Sequence, residues 1–251
     1  MTDRQQQTPD RPPIAPPSLA DAESFAAAGD ARPNAGDCFV RTAFGACDLA
    51  GSRAADLRFE EVTFTGTSLR GVVWQGAQLV DVRLRGCDLS NADLRQASLH
   101  RVEFISCNLT GANLSNVQCH HVRFERCKMV LAHAAQAKLA GCALGDCLLE
   151  QADLAEADLR EAALTACNLR RARLVGAKLA GCDLRGSDLT DLGATPFELR
   201  GAIVEAGQLV QLAPLLGVEV RYPLTCLSLG DAGRKILVRP HWCQLRRNRA
   251  N

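Results

Sequence analysis

Four sets of residues have the types and spacing for chemistry. Cys119, His120 and His121 are consecutive, with His100 twenty residues earlier, and thiol plus imidazole is a zinc-type ligand set. Glu60 with Glu61, and the group Asp153, Glu156, Asp158 and Glu161, could pair as general acid and base. Twelve cysteines could bridge or remain thiols. Arg221, Arg234, Lys235, Arg239, Arg246, Arg247 and Arg249, with Trp242 among them, could contact phosphates and stack on bases. What each set can do depends on the elements that hold it.

Those elements are set by a period of five. From Phe44 to Leu189 every fifth residue is bulky and apolar, apart from Ala54, Cys119 and Ala134. Two residues before each sits a small residue, with Leu57 the one departure. Five fits neither a 3.6-residue helix nor a two-residue strand, so the repeat describes an architecture. In Ala92-Asp93-Leu94-Arg95-Gln96, Ala92 and Leu94 point inward, Asp93 points outward, and Arg95-Gln96 turn a corner.

Like residues recur every twenty. Cys87, Cys107, Cys127, Cys147 and Cys167 form one series, and Val62, Val82, Val102 and Val122 form another. Twenty residues make four sides of five, a square solenoid whose coils lie about 4.8 Å apart. Stacking places Asp81 beside Arg101, Arg126 beside Asp146, Glu150 beside Arg170 and Arg171 beside Asp191.

The same placement sorts the chemistry. Cys119 faces inward while His120 and His121 lie at an outward corner, so the histidines read as exposed and not as ligands. A regular solenoid has flat faces and no cleft to perturb a carboxylate, so the acidic groups read as solvated charge. The Phe44, Phe64, Phe104 and Phe124 column reads as core. Catalytic residues, cofactors and metals are therefore not expected. Most cysteines fall in the small inward column, where they act as small hydrophobes and are expected to stay reduced.

The Ala-Asp-Leu-x-x and Cys-Asn-Leu-x-x units resemble the pentapeptide-repeat family across some 150 residues. The resemblance implies an all-β fold, a right-handed quadrilateral β-helix, with a short C-terminal helix cap. It also implies a function: the topoisomerase-protection members imitate duplex DNA, bind DNA gyrase or topoisomerase IV, and counter their inhibitors. Their C-terminal helix and following strand form a twofold dimer, and Leu216-Gly217-Val218-Glu219-Val220 is similar to that motif. Leu209, Leu212, Leu216, Val218 and Val220 are thus the candidate cap or dimer contacts. Asp48, Asp88, Asp93, Asp153 and Asp188 are the candidate partner-binding surface. Eighteen acidic and eighteen basic residues share positions 41–191, however, and no continuous acidic stripe is evident. A structural scaffold for an unidentified protein partner is the rival expectation.

Around the repeat, residues 1–37 carry six prolines and no apolar period, as in a disordered or loosely ordered arm. The β-helix is expected over 38–200, the helix and strand cap over 201–222, and a basic tail over 223–251. At Thr195-Pro196-Phe197-Glu198 a helical capping box competes with the continuing five-residue phase through Phe197 and Leu199. Leu209, Leu212 and Leu216 would share one face of a short helix, and Val218, Val220 and Tyr222 would alternate as a strand. The polar start Met1 to Gln7, with no apolar run after it, points to the cytoplasm. No segment reaches the roughly eighteen apolar residues of a membrane span. Direct nucleic-acid binding is not expected, because a basic tail more often serves solubility.

Overall fold

A computed structural model describes residues 14–19, 25–29 and 32–221, together with the backbone of 227–229 and 235–237. Its strands are β1 (Ala26–Ala27), β2 (Cys38–Val40), β3 (Thr42–Phe44), β4 (Arg58–Thr65), β5 (Gln78–Arg85), β6 (Ser98–Ile105), β7 (Gln118–His120), β8 (Arg123–Glu125), β9 (Ala143–Gly145) and β10 (Ala163–Thr165). From β2 onward all of them pair in parallel at an offset of twenty, as in Phe59 with Leu79 and Leu79 with Leu99. Single bridges hold the other two sides at the same offset, such as Asp88 with Asn108 and Asp93 with Asn113. The result is a parallel β-solenoid of about seven turns, the fold class implied by the five-residue period. It meets the inter-coil spacing directly: the Phe104 and Phe124 rings stack with centroids 4.7 Å apart.

One conformational feature makes the corners. Two residues after each large inward side chain the backbone enters the left-handed region, as at Gln96 (φ 60), Gly111 (φ 67) and Leu131 (φ 57). From Arg41 to Gly201 only Ala46 and Pro196 depart from this series. The outward Asp or Asn of each unit supports the bend, because its carboxyl or amide oxygen accepts the N–H two residues on. Ser90 donates to Asp88 at 3.0 Å, Ser115 to Asn113 at 3.1 Å, and Arg170 to Asn168 at 3.1 Å. The Asp of Ala-Asp-Leu-x-x is therefore a local turn residue before it is a surface charge.

The inward residues form one continuous apolar core from Phe44 to Leu192. A weak layer lies at Ala134, where Leu114, Phe124, Met129, Leu144 and Leu154 surround a cavity of about 10 Å³. Its wholly apolar walls offer a water no polar partner. In the cysteine column, polar hydrogens find backbone acceptors: Cys107 Sγ lies 3.4 Å from the Leu84 carbonyl and Cys127 Sγ 3.3 Å from that of Phe104. Thr67 and Ser187 flank the five buried cysteines in the same column and donate to Gly45 and Leu164, each at 2.7 Å, and Cys47 lies one coil beyond Thr67.

Both ends of the solenoid are covered. At the start, β1 pairs with β3 at an offset of sixteen, Ala26 to Thr42, so it lies on the edge without joining the repeat. Phe25 is buried beside it. The Ser18 N–H donates to Asp81 Oδ1 at 2.7 Å, which ties residues 14–19 to β5. Those contacts fall within the stretch 1–37 that composition marks as a loosely ordered arm; of that stretch, residues 1–13, 20–24, 30 and 31 lie outside the described residues.

At the far end the phase breaks at Pro196, whose ring fixes φ near −65° and forbids the left-handed corner. Residues 196–201 form a turn and not the helix that a capping box implies. The capping hydrogen bonds themselves are made: Thr195 N–H donates to Glu198 at 2.7 Å and Phe197 N–H to Thr195 Oγ1 at 3.2 Å. Leu199 still packs on the core, but Phe197 is turned out and 69% exposed, against its inward phase. Next come a 3-10 turn (Ala206–Gln208), helix α1 (Leu209–Leu212) and a second 3-10 turn (Ala213–Leu216) ended by Gly217 at φ 68. The following unit begins at Val218. It contains an antiparallel pair, β11 (Leu227–Leu229) with β12 (Lys235–Leu237).

Candidate interaction surface

The five candidate partner-binding carboxylates do not converge. Asp48, Asp88 and Asp188 stand on one side of the solenoid and Asp93 and Asp153 on the next. Each is occupied locally. Asp48 accepts from the Ala50 N–H at 3.0 Å, and that bond, followed by Ser68, holds its carboxyl below the usual range. Asp93 accepts from Arg95 Nε at 2.9 Å and from Gln75 at 2.6 Å, and Arg95 holds its carboxyl below the usual range. Asp88 takes the Ser90 N–H and the Asn108 amide, both at 3.0 Å, with Arg70 at 3.8 Å. Asp153 faces Arg173 at 3.8 Å and Asp188 faces Arg170 at 4.0 Å. Four of the five therefore carry an arginine within 4 Å, and the local field is mixed.

The inter-coil pairs read from the stacking are partly made. Arg101 clasps Asp81, its Nε 2.6 Å from Oδ1, and Arg171 meets Asp191 at 3.8 Å. Arg126 instead turns to its neighbour Glu125, and Arg170 to Asp188. In both cases the arginine reaches a closer carboxylate than the stacked one.

Histidines His100, His120 and His121 gather at one corner beside the Asp81–Arg101 pair. Their ring centroids lie 6.5 Å (His100–His120) and 6.3 Å (His100–His121) apart. Burial and Arg101 push the His100 imidazole below its ordinary value. Among the described residues no group of three or more His, Cys, Asp or Glu side chains could hold a metal ion. Nor is any described helix long and apolar enough to cross a membrane.

The C-terminal cap differs from the leucine face inferred from spacing. Only Leu212 of the three leucines is buried; Leu209 is 58% and Leu216 65% exposed. Pro214 tightens the second turn to 3-10 pitch, which rotates Leu216 outward and brings Leu215 onto the core. Val218 and Val220 are exposed, and residues 218–221 pair with no described strand, so the expected alternation does not form a ladder there; Tyr222 lies outside the described residues. So do Arg234, Arg239, Trp242, Arg246, Arg247 and Arg249, and the side chain of Lys235, which leaves the basic tail as a sequence expectation.

Polar closure of the last coil depends on two residues that periodicity does not mark. Gln208 is buried, and its amide donates to the carbonyls of Leu184 and Ser187, both at 2.7 Å. Gln211 Oε1 accepts the Leu189 N–H at 2.6 Å. A further coil would have satisfied those groups; here side-chain amides do so. The one available signal was Glu205-x-x-Gln208, a capping-box spacing that is completed when the Glu205 N–H donates to Gln208 Oε1 at 2.7 Å.

This solenoid of five-residue units is what the comparisons with known proteins also find. Pentapeptide repeats match in eight copies over residues 77–116 and 93–129, and a pentapeptide repeat region matches 117–193. The chain is a pentapeptide-repeat protein. Among solved structures it is similar to QnrB1, a plasmid-mediated fluoroquinolone resistance protein in a trypsin-treated form, at 20% identity over 74% of this chain and 99% of that one, with a TM-score of 0.44. HetL, a pentapeptide repeat protein involved in heterocyst differentiation regulation in Nostoc sp. strain PCC 7120, is 22% identical over 72% and 94%, with a TM-score of 0.28. A pentapeptide repeat protein of the Arabidopsis thaliana thylakoid lumen is 28% identical over 44% and 73%, with a TM-score of 0.31. No curated protein matches the chain.

Proposed function

We propose that this chain is a non-catalytic cytoplasmic protein that binds another macromolecule through the outer faces of its solenoid. The observation that carries this reading is the continuous apolar core, whose cavity at Ala134 is apolar and only about 10 Å³. That volume admits no substrate, while the flat, laddered exterior offers many side chains at fixed spacing. The specific partner proposed is DNA gyrase or topoisomerase IV, engaged in place of duplex DNA and thereby protected from inhibitors, with a homodimer formed through the C-terminal segment. Exposed Leu209 and Leu216 support that dimer. A gyrase supercoiling assay with and without ciprofloxacin tests the partner. Restored supercoiling, or direct inhibition at higher protein concentration, supports it; no effect from folded protein in either arm removes it.

A second reading has its own observation. The arginines beside Asp88, Asp93, Asp153 and Asp188 cancel the negative potential that charge mimicry of DNA requires. An adaptor for a protein partner with an equally mixed surface fits that pattern better. Pull-downs with the two termini deleted in turn distinguish it.

A further inference from the structure

The cysteine column has no part in the proposed function. Cys87, Cys107, Cys127, Cys147 and Cys167 occupy five successive coils, while the equivalent position one side on holds alanine throughout: Ala92, Ala112, Ala132, Ala152 and Ala172. All five thiols are buried. The last four make the same contacts, to the carbonyl twenty-three residues back and to the one two residues back, at 3.3–3.5 Å. Like rotamers in register mean that neighbouring sulfurs are related by the coil repeat, which the Phe104–Phe124 pair sets at 4.7 Å.

That spacing selects a chemistry. A disulfide needs β-carbons about 3.5–4.5 Å apart and sulfurs about 2.05 Å apart, closer than an in-register parallel ladder brings them. Two metal–thiolate bonds of about 2.3 Å each, laid end to end, span about 4.6 Å. Charge narrows the choice further. Two thiolates around a divalent ion give a neutral unit that an apolar core can hold, whereas a monovalent ion would leave a buried negative charge. Thr67 and Ser187 bound the run of five thiols with hard hydroxyl oxygens, which a soft ion does not favour, and Thr67 separates the run from Cys47.

We propose that neighbouring thiols of this column bind a divalent, linearly coordinating soft metal ion, typified by Hg²⁺, with one ion bridging two adjacent coils. Each event breaks two S–H bonds, forms two S–Hg bonds and releases two protons to solvent, with no change of oxidation state. Five thiols in line accommodate two such ions and leave one thiol over. Access comes through local opening of the coils.

The test uses full-length reduced protein, mercuric chloride, and two double variants that each lose two thiols. C87A/C167A keeps Cys107, Cys127 and Cys147 contiguous; C107A/C147A leaves every remaining column thiol without a cysteine neighbour. Ions retained after gel filtration are counted by native mass spectrometry. The proposal requires the parent to hold one ion more than C87A/C167A and two more than C107A/C147A, with mercury raising the melting temperature of the first two only. Equal counts and equal thermal shifts in the two variants would show that the thiols only fill the core, and would overturn it. If an alanine variant fails to fold, serine replacements, which copy the residue the column already carries at Ser187, repeat the comparison.

Discussion

The side-chain amide of Gln208 donates to the backbone carbonyl of Leu184 across 2.7 Å, from a residue twenty-four positions further along the chain. It also reaches Ser187 O, so a single side chain replaces part of the backbone ladder that a next coil would provide. Replacing Gln208 by alanine removes the side-chain donor of the Ser187 carbonyl and leaves the Leu184 carbonyl with the Ser187 N–H alone, at 3.2 Å. An unsatisfied buried polar group costs about 1–3 kcal/mol. Urea unfolding of Gln208→Ala should show a loss in that range, whereas Leu209→Ala, at an exposed neighbour, should change stability within about 0.5 kcal/mol. Equal effects from both would mean that the cap is held by its apolar contacts.

The layer at Ala134 is underfilled. Its column carries Leu94, Leu114, Leu154 and Leu174 in other coils, so a leucine at this height meets the same geometry. Ala134→Leu is expected to raise stability by about 0.5–2 kcal/mol, the usual yield of filling a cavity. A lower urea midpoint would show that the coils around Ala134 have already closed in and that the larger side chain overpacks them.

Asp81 is buried, and Arg101, helped by the Ser18 N–H, outweighs burial to hold its carboxyl below the ordinary value of 3.8. A carboxyl depressed in the folded state contributes stability that is complete above its unfolded value and is lost as pH falls through its folded one. Unfolding free energies at pH 7 and pH 3 should therefore differ more for the parent protein than for Asp81→Asn. His100, lowered from its ordinary 6.5, also titrates between those two pH values, so the comparison is repeated in a His100→Gln background, where only Asp81 differs between the paired proteins. Identical pH slopes in the two proteins would remove Asp81 from the acid response.

Leu131 holds the left-handed corner conformation at φ 57 with its side chain 49% exposed. A bulky side chain there costs about 1–2 kcal/mol relative to the right-handed region, and asparagine tolerates the conformation better. Leu131→Asn should raise the melting temperature, while Leu131→Pro, which cannot reach a positive φ, should lower it sharply. Thermal melts followed by circular dichroism decide both.

Periodicity made the solenoid legible because a single spacing fixes both the side-chain direction and the inter-coil register. Asp81 with Arg101 and Arg171 with Asp191 followed from that register alone. Arg126 did not, since a long flexible side chain chooses among carboxylates at similar distance, and Glu125 is nearer than the next coil. The outward aspartates look like a charged surface in sequence because their role as turn acceptors depends on backbone angles that composition does not carry. The end of the solenoid was least legible. There Pro196 and Pro214 override the periods on either side, and Gln208, a polar residue in a leucine-rich stretch, supplies the buried contact.

The corner at every fifth residue, repeated under a twenty-residue register, makes length a discrete variable for this fold. A single inserted residue cannot be absorbed by slippage, because it would turn every later large side chain toward solvent. Five inserted residues restore the alternation but rotate everything downstream by one side, so that the cysteine column would meet alanines and the phenylalanine stack would end. Only an addition of twenty leaves all four columns continuous. The solenoid can therefore lengthen or shorten by whole coils with little internal disturbance, and its reach along a partner changes in steps of one inter-coil spacing.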